Sequence, residues 1–132
     1  MRYFTKDHEW IDLDDNGDTA TVGITDYAQS QLGDIVFVEL PAIGRKVKRG
    51  EEVAVIESVK AAADCKAPAS GTVIEVNKTL EEEPGKVNQE PTAGGWFFKL
   101  KLDAPAELAT LMDEAAYGVS IGASIGPASI AK

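Results

Sequence analysis

One lysine in this chain stands where covalent chemistry could reach it. The stretch Glu57-Ser58-Val59-Lys60-Ala61-Ala62-Ala63 sets Lys60 among small, unreactive side chains. Val53-Ala54-Val55-Ile56 precedes it, and Thr72-Val73-Ile74-Glu75-Val76 follows beyond Ala67-Pro68-Ala69-Ser70-Gly71. Apolar, β-branched runs bounded by turn residues read as strands, so the spacing puts Lys60 at or near an exposed turn. A general-base or Schiff-base lysine needs burial or a cationic neighbour. Glu57 and Asp64 flank Lys60 instead. These residues point to a lysine that carries a covalently attached arm, not one that catalyses.

The other reactive residue types offer less. Cys65, the only cysteine, reads as a small, inert, semi-buried thiol in preference to a partner for mixed disulfides. His8, the only histidine, lacks a cysteine or second histidine with which to bind metal, and reads as a satisfied structural side chain. Glu81-Glu82-Glu83 ahead of Pro84 reads as a solvated loop. Gly122-x-x-x-Gly126 lies outside any apolar span, so a helix-dimerisation reading fails. An enzyme using Cys65 or Lys60 as nucleophile has no histidine–cysteine pairing to draw on, because His8 lies beyond the first hairpin in sequence.

The 132 residues suffice for one domain with one modest core. A net charge of −9 argues against nucleic-acid binding, which calls for a basic face. It suits encounter with basic partner surfaces, and equally suits simple solubility. A lone cysteine excludes an internal disulfide and indicates a reducing compartment. No stretch approaches the roughly 18 apolar residues of a membrane span, and the opening residues lack a signal-peptide apolar segment. The expectation is a cytoplasmic protein, bacterial rather than a mature mitochondrial form.

Trp10 to Leu13 and Thr19 to Ile24, joined through Asp14-Asp15-Asn16-Gly17, read as a hairpin. A short helix is expected near 26–32, with Asp26 as cap, Gln29 as capping-box partner and Gly33 as its stop. Ile35 to Leu40, apolar on both faces, reads as an interior strand ended by Pro41. Gly94-Gly95 opens a last strand in which Trp96, Phe98, Leu100 and Leu102 alternate with Phe97, Lys99 and Lys101. A C-terminal helix is expected near 104–117, carried by Leu108, Leu111, Met112 and Ala115 and closed by Gly118. Residues 1–117 form the expected domain, and 118–132 a loosely held Ser/Gly/Ala-rich tail. Gly33-Asp34-Ile35-Val36-Phe37-Val38 and Gly71-Thr72-Val73-Ile74-Glu75-Val76 share Gly-x-apolar-apolar-x-Val. They read as halves of a pseudo-symmetric β structure with the Lys60 turn between them.

Taken in order, several stretches resemble one family. They are His8-Glu9-Trp10, Val22-Gly23-Ile24-Thr25-Asp26-Tyr27-Ala28-Gln29, Leu32 to Pro41, Glu57-Ser58-Val59-Lys60-Ala61, Ala67-Pro68 with Ser70-Gly71, and Gly95-Trp96. From about Tyr3 to Tyr117 the chain resembles the H proteins of the glycine cleavage system, which are lipoyl carriers. The resemblance implies a mainly β fold, a flattened barrel-sandwich hybrid with the modified lysine at a hairpin tip. It implies lipoate joined to Lys60 through an amide, within an attachment motif of Glu57, Ser58, Val59 and Ala61. It further implies three partners: a pyridoxal-phosphate-dependent glycine decarboxylase that loads an aminomethyl group, a tetrahydrofolate-dependent aminomethyltransferase that takes its carbon, and a dihydrolipoyl dehydrogenase. Lipoate-attaching enzymes must also act on the lysine. The chain itself would be a monomeric, non-catalytic carrier.

An H-like relay that donates lipoyl groups to other lipoyl enzymes needs the same lysine and stays open. Biotin carriers usually flank the lysine with methionine, where Val59 and Ala61 stand here. Lipoyl acyltransferases add a linker and a catalytic domain. The chain also departs from the family's usual pattern. Cys65-Lys66 replaces a common Val-Tyr, Thr92 a common Tyr, and the tail differs.

Overall fold

A computed structural model describes residues 2–125. Among the described residues, nine strands form two antiparallel sheets. The larger sheet contains β1 (Arg2–Phe4), β2 (Glu9–Leu13), β3 (Thr19–Ile24), β5 (Lys46–Val47), β8 (Gly71–Val76) and β9 (Phe98–Leu102), in the order β1-β2-β3-β9-β8-β5. The smaller contains β4 (Ile35–Glu39), β6 (Glu52–Ser58) and β7 (Ala62–Lys66), in the order β4-β6-β7. Between these sheets lies one core, in which Ile11, Val22, Val73, Phe98 and Leu100 meet Ile35, Val38, Ile56 and Cys65. Burying each of the larger apolar side chains contributes about 1.5–3 kcal/mol. This mainly β, two-sheet architecture agrees with the barrel-sandwich hybrid that the resemblance implies, and β7, the return strand of the Lys60 hairpin, stands where the sequence offered no strand before Thr72.

The first hairpin forms as expected, with Trp10 paired to Gly23 and Leu13 to Ala20. Trp10 lies across Gly23, where a Cβ would come within 2.6 Å of the indole. Its Nε1–H donates to the carbonyls of Ile24 (2.9 Å) and Pro91 (3.0 Å), so a buried polar group is satisfied twice. The two Gly-x-apolar segments fall in different sheets, as β4 and β8. The stretches after them diverge: Lys46–Val47 is a strand, whereas Lys86–Gln89 forms the short helix α3, after α1 (Asp26–Leu32) and α2 (Thr79–Glu82).

Several expectations need correction. The cap of α1 is Thr25, not Asp26, with the Thr25 hydroxyl accepting from the Ala28 N–H at 3.2 Å. Asp26 instead occupies the first turn and accepts from Gln29 Nε2 at 2.8 Å. β4 is an edge strand, not an interior one. The last strand begins at Phe98 rather than at Gly94-Gly95, which lie in a turn. Phe97 is buried alongside Phe98, while Lys99 and Lys101 face outward as expected. Glu81 and Glu82 are exposed but belong to α2 rather than to a loop.

The single helix expected over 104–117 is two pieces. Pro105–Thr110 is a 3₁₀ turn, and α4 spans Glu114–Ile125. The chain breaks between them because Met112 forms a bridge to Phe4, exchanging N–H···O bonds of 2.8 and 3.0 Å. Asp113 then restarts the helix, its carboxylate accepting from the Ala116 N–H at 2.8 Å. The apolar spacing that looked like one helical face serves two clusters: Leu108 enters the main core, and Met112 packs with Phe4, Trp10 and Tyr117. α4 runs through Gly118, so the first part of the expected tail is helical, and residues 126–132, with the Gly126 end of the glycine pair, lie outside the described residues. Tyr117 anchors α4 by stacking on Phe4 at 4.7 Å. Its hydroxyl bridges His8 Nδ1 (2.8 Å) and Thr25 Oγ1 (2.7 Å).

Candidate functional site

Lys60 sits at the tip of the hairpin joining β6 to β7 and is exposed. Ser58 shapes that tip. Its N–H donates to the Ala61 carbonyl at 2.8 Å, and its hydroxyl oxygen accepts from the N–H groups of Ala61 (3.0 Å) and Lys60 (3.3 Å). The hydroxyl also donates to the Ala61 carbonyl at 3.2 Å. A serine closing a turn with its own side chain satisfies backbone groups that the strands leave unpaired. The tip therefore holds a defined shape while its side chains face solvent: Val59 is 68% exposed, and Glu57 and Ala61 are exposed too.

The hairpin leans on the turn before β4. The Val59 N–H donates to the Asp34 carbonyl at 3.0 Å. The stem of Lys60 lies over Gly33, where a Cβ would sit 3.3 Å from Lys60 Cε. Asn88, on α3, braces that turn from behind. Its Nδ2 donates to the Gly33 carbonyl and to Gln29 Oε1, both at 2.9 Å, and its Oδ1 accepts from the Ile35 N–H at 2.9 Å. Sequence reasoning placed Lys60, Glu57, Ser58, Val59 and Ala61 on one turn, and the structure brings them together there. It missed Asn88. The only local signal was its place at the end of the second half of the repeat.

From the tip, β7 runs alongside a cleft of about 190 Å³ lined by Asp7, His8, Glu9, Ile24, Leu32, Ile56 and Asp64 among others. Its lining joins apolar side chains to carboxylates. Glu9 is buried, and burial raises its pKa above the ordinary carboxylate value. The Thr5 hydroxyl, the Lys66 N–H and the Lys66 charge oppose that rise, while the Asp7 charge adds to it. Thr5 Oγ1 donates to Glu9 Oε1 at 2.5 Å, and the Lys66 N–H to Oε2 at 3.3 Å. His8 has a positive φ of 71° and, as expected, is hydrogen-bonded and structural. Its pKa is lowered by burial, against the charge of Asp7.

Cys65 is fully buried, and burial pushes its thiol well above the ordinary range, with the charges of Glu9 and Asp64 adding to the effect. A thiol held protonated is a poor nucleophile. Among the described residues no group of three or more His, Cys, Asp or Glu side chains is placed to hold a metal ion. No helix of the described residues is long and apolar enough to cross a membrane.

Comparison with known proteins decides the family. A model of the family "Glycine cleavage H-protein" matches residues 2–122. The chain belongs to that family. It is 58% identical over 120 residues to the glycine cleavage system H protein of Rhodospirillum rubrum, covering 91% of this chain and 94% of that one. With the H protein of Methylocella silvestris it shares 65% over 114 residues, covering 86% and 90%. A crystal structure of the H protein from Mycobacterium marinum superposes with a TM-score of 0.84 at 36% identity, covering 92% of this chain and 96% of that chain. H proteins are non-catalytic carriers that bear lipoate on a lysine, and this chain is a component of the glycine cleavage system, working with its P, T and L proteins.

Proposed function

We propose that Lys60 is the lysine that bears lipoate, in an amide recognised through Glu57, Ser58, Val59 and Ala61. The observation that carries this is the position of Lys60: an exposed lysine at the tip of a hairpin whose backbone is tied by Ser58. The residues fit the group. Ala61 and Ala62 leave room for an attaching enzyme, and the stem and amine of Lys60 lie over Gly33, which has no side chain to cover them, on an exposed tip. Bound there, lipoate supplies a dithiolane on a tether, so that one reactive centre visits several enzymes without diffusing free.

The cleft beside β7 supports a second role for this chain's own residues. Ile24, Leu32 and Ile56 offer an apolar bed, while Asp7, Glu9 and Asp64 provide negative charge. That combination suits the far end of a tethered arm bearing an amine, and it shields that end from water. The partners are a pyridoxal-phosphate glycine decarboxylase, a tetrahydrofolate-dependent aminomethyltransferase and a dihydrolipoyl dehydrogenase, together with lipoate-attaching enzymes. The carrier domain is a cytoplasmic monomer that takes in α4, past residue 117.

Intact-mass spectrometry of protein from lipoate-supplied cells tests the assignment. One lipoyl adduct is expected, mapping to Lys60 and absent from a correctly folded Lys60→Arg variant. An adduct that persists in this variant assigns the arm to another lysine. Glycine decarboxylation measured with and without the chain separates glycine cleavage from a lipoyl-relay role.

A further inference from the structure

We propose that Tyr117, which stands outside the lining of the cleft beside β7, is a positioning residue for it. Its hydroxyl clasps together two of the segments that form the cleft, the turn at His8 and the start of α1. This rests on the reading of that cleft as the resting place of the arm's far end.

The two segments come from different parts of the chain. The turn brings Asp7, His8 and Glu9 to the cleft, and α1 brings Tyr27, Ala28 and Leu32. The His8 and Tyr27 rings meet across the seam, with centroids 4.6 Å apart and planes tilted by 49°. One backbone bond crosses it, from the Thr25 N–H to the His8 carbonyl at 3.0 Å. Neither side is self-supporting. His8 holds φ at 71°, a region that residues other than glycine occupy only when their surroundings impose it. The helix α1 has seven residues, too few to stand without tertiary support, and buries none of them fully.

Tyr117 supplies that support from the other end of the chain, 109 residues from His8 and 92 from Thr25. Its hydroxyl oxygen lies 2.8 Å from His8 Nδ1 and 2.7 Å from Thr25 Oγ1. One hydroxyl can donate to one such partner and accept from the other, so a single group serves both segments. Thr25 carries the restraint into α1, because its oxygen also accepts from the Ala28 N–H as the helix cap. Stacking on Phe4 at 4.7 Å and packing in the cluster with Trp10 and Met112 hold the Tyr117 ring in place. Without the hydroxyl, His8 can relax from its positive φ and the first turn of α1 loses a tie. The cleft then opens to water beside Asp7 and Glu9, where an arm bearing an amine would rest.

The test uses the full-length lipoylated chain, its arm loaded with an aminomethyl group by glycine decarboxylase, which is then removed. Formaldehyde release is followed in buffer: water cleaves the carbon–sulfur linkage and leaves the free thiol, formaldehyde and ammonium. Tyr117→Phe keeps the ring and loses the hydroxyl. Ile121→Ala, on the same helix and against the same cluster, loses apolar contact alone and is the structural control. Tyr117→Phe is expected to quicken release about fivefold, the effect of one hydrogen bond on closure, with Ile121→Ala close to wild type. A second readout needs no arm. In the unmodified chain, hydrogen exchange at the Thr25 and Ala28 N–H groups should quicken in Tyr117→Phe and not in Ile121→Ala. If Tyr117→Phe matches wild type in either readout, or if Ile121→Ala moves both as far, the clasp is overturned and the cleft reading stands. If loaded wild-type protein releases formaldehyde as fast as a short peptide bearing the same arm, the cleft reading fails and the clasp with it.

Discussion

The stem of Lys60 rests against Gly33, and only a glycine lets it. Gly33 has φ 79° and ψ −158°, a region closed to side chains at a cost of order 1–3 kcal/mol. A Cβ there would also press on Lys60 Cε at 3.3 Å. The same residue thus ends α1 and clears the ground under Lys60.

Gly33→Ala is therefore expected to lower the unfolding free energy by about 1–3 kcal/mol. Urea unfolding followed by far-ultraviolet circular dichroism measures it. A loss below about 0.5 kcal/mol would show that the turn relaxes freely and that Gly33 is no constraint.

Asn88 makes the brace behind that turn, and its removal has a readable signature. Asn88→Ala leaves the Ile35 N–H and the Gly33 carbonyl without their partner. Unsatisfied groups of this kind cost about 1–3 kcal/mol. Hydrogen exchange should quicken first at Ile35 and at Val59, whose N–H reaches the Asp34 carbonyl within the same turn. Exchange that quickens uniformly over the chain instead would mean that Asn88 stabilises the fold globally and does not brace the tip.

How much of this was legible beforehand depends on the range of each interaction. The Lys60 turn could be read in part, because β-branched β6 and the serine that closes the turn are local. The strand that returns is β7 (Ala62–Lys66), with no β-branched residue to mark it, whereas the Thr72–Val76 run that the sequence pointed to lies in the other sheet as β8. The first hairpin was legible because it is local throughout. Asn88 was not, since its partners Gly33 and Ile35 stand 55 and 53 residues away, and no local pattern marks an asparagine that braces a distant turn. β4 misled because exposed Val36 and Phe37 look like core residues in sequence. Their outward placement follows from a bulge and from an edge position that only the sheet order reveals. The C-terminal helix misled because Met112 pairs with Phe4, more than one hundred residues earlier, and breaks a periodicity that otherwise reads as one face.

Cys65 provides a test of burial. Its thiol is enclosed, and burial holds it well above the ordinary pKa, reinforced by Glu9 and Asp64. A thiol-reactive dye at pH 8 should label native protein only as fast as the chain opens, and label urea-unfolded protein at once. Rapid native labelling would restore Cys65 as a candidate for mixed disulfides with the dithiol arm.

Glu9 gives a pH dependence whose sign can be worked out. Burial raises its native pKa above the ordinary 4.5, so between those two values the native state binds more protons than the unfolded chain. Its contribution to the unfolding free energy therefore falls as pH rises from 4.5 through the raised native value, and stays low above it. Glu9→Gln cannot ionise, so it lacks this loss. Other carboxylates titrate in the same range, so the informative quantity is the difference between wild type and variant. Urea unfolding at intervals from pH 4 to pH 8 should show the variant gaining on wild type as pH rises, with the change complete once Glu9 is fully ionised. A constant difference across that range would mean that Glu9 ionises as an ordinary carboxylate, and that the cleft beside β7 imposes no cost on a buried negative charge.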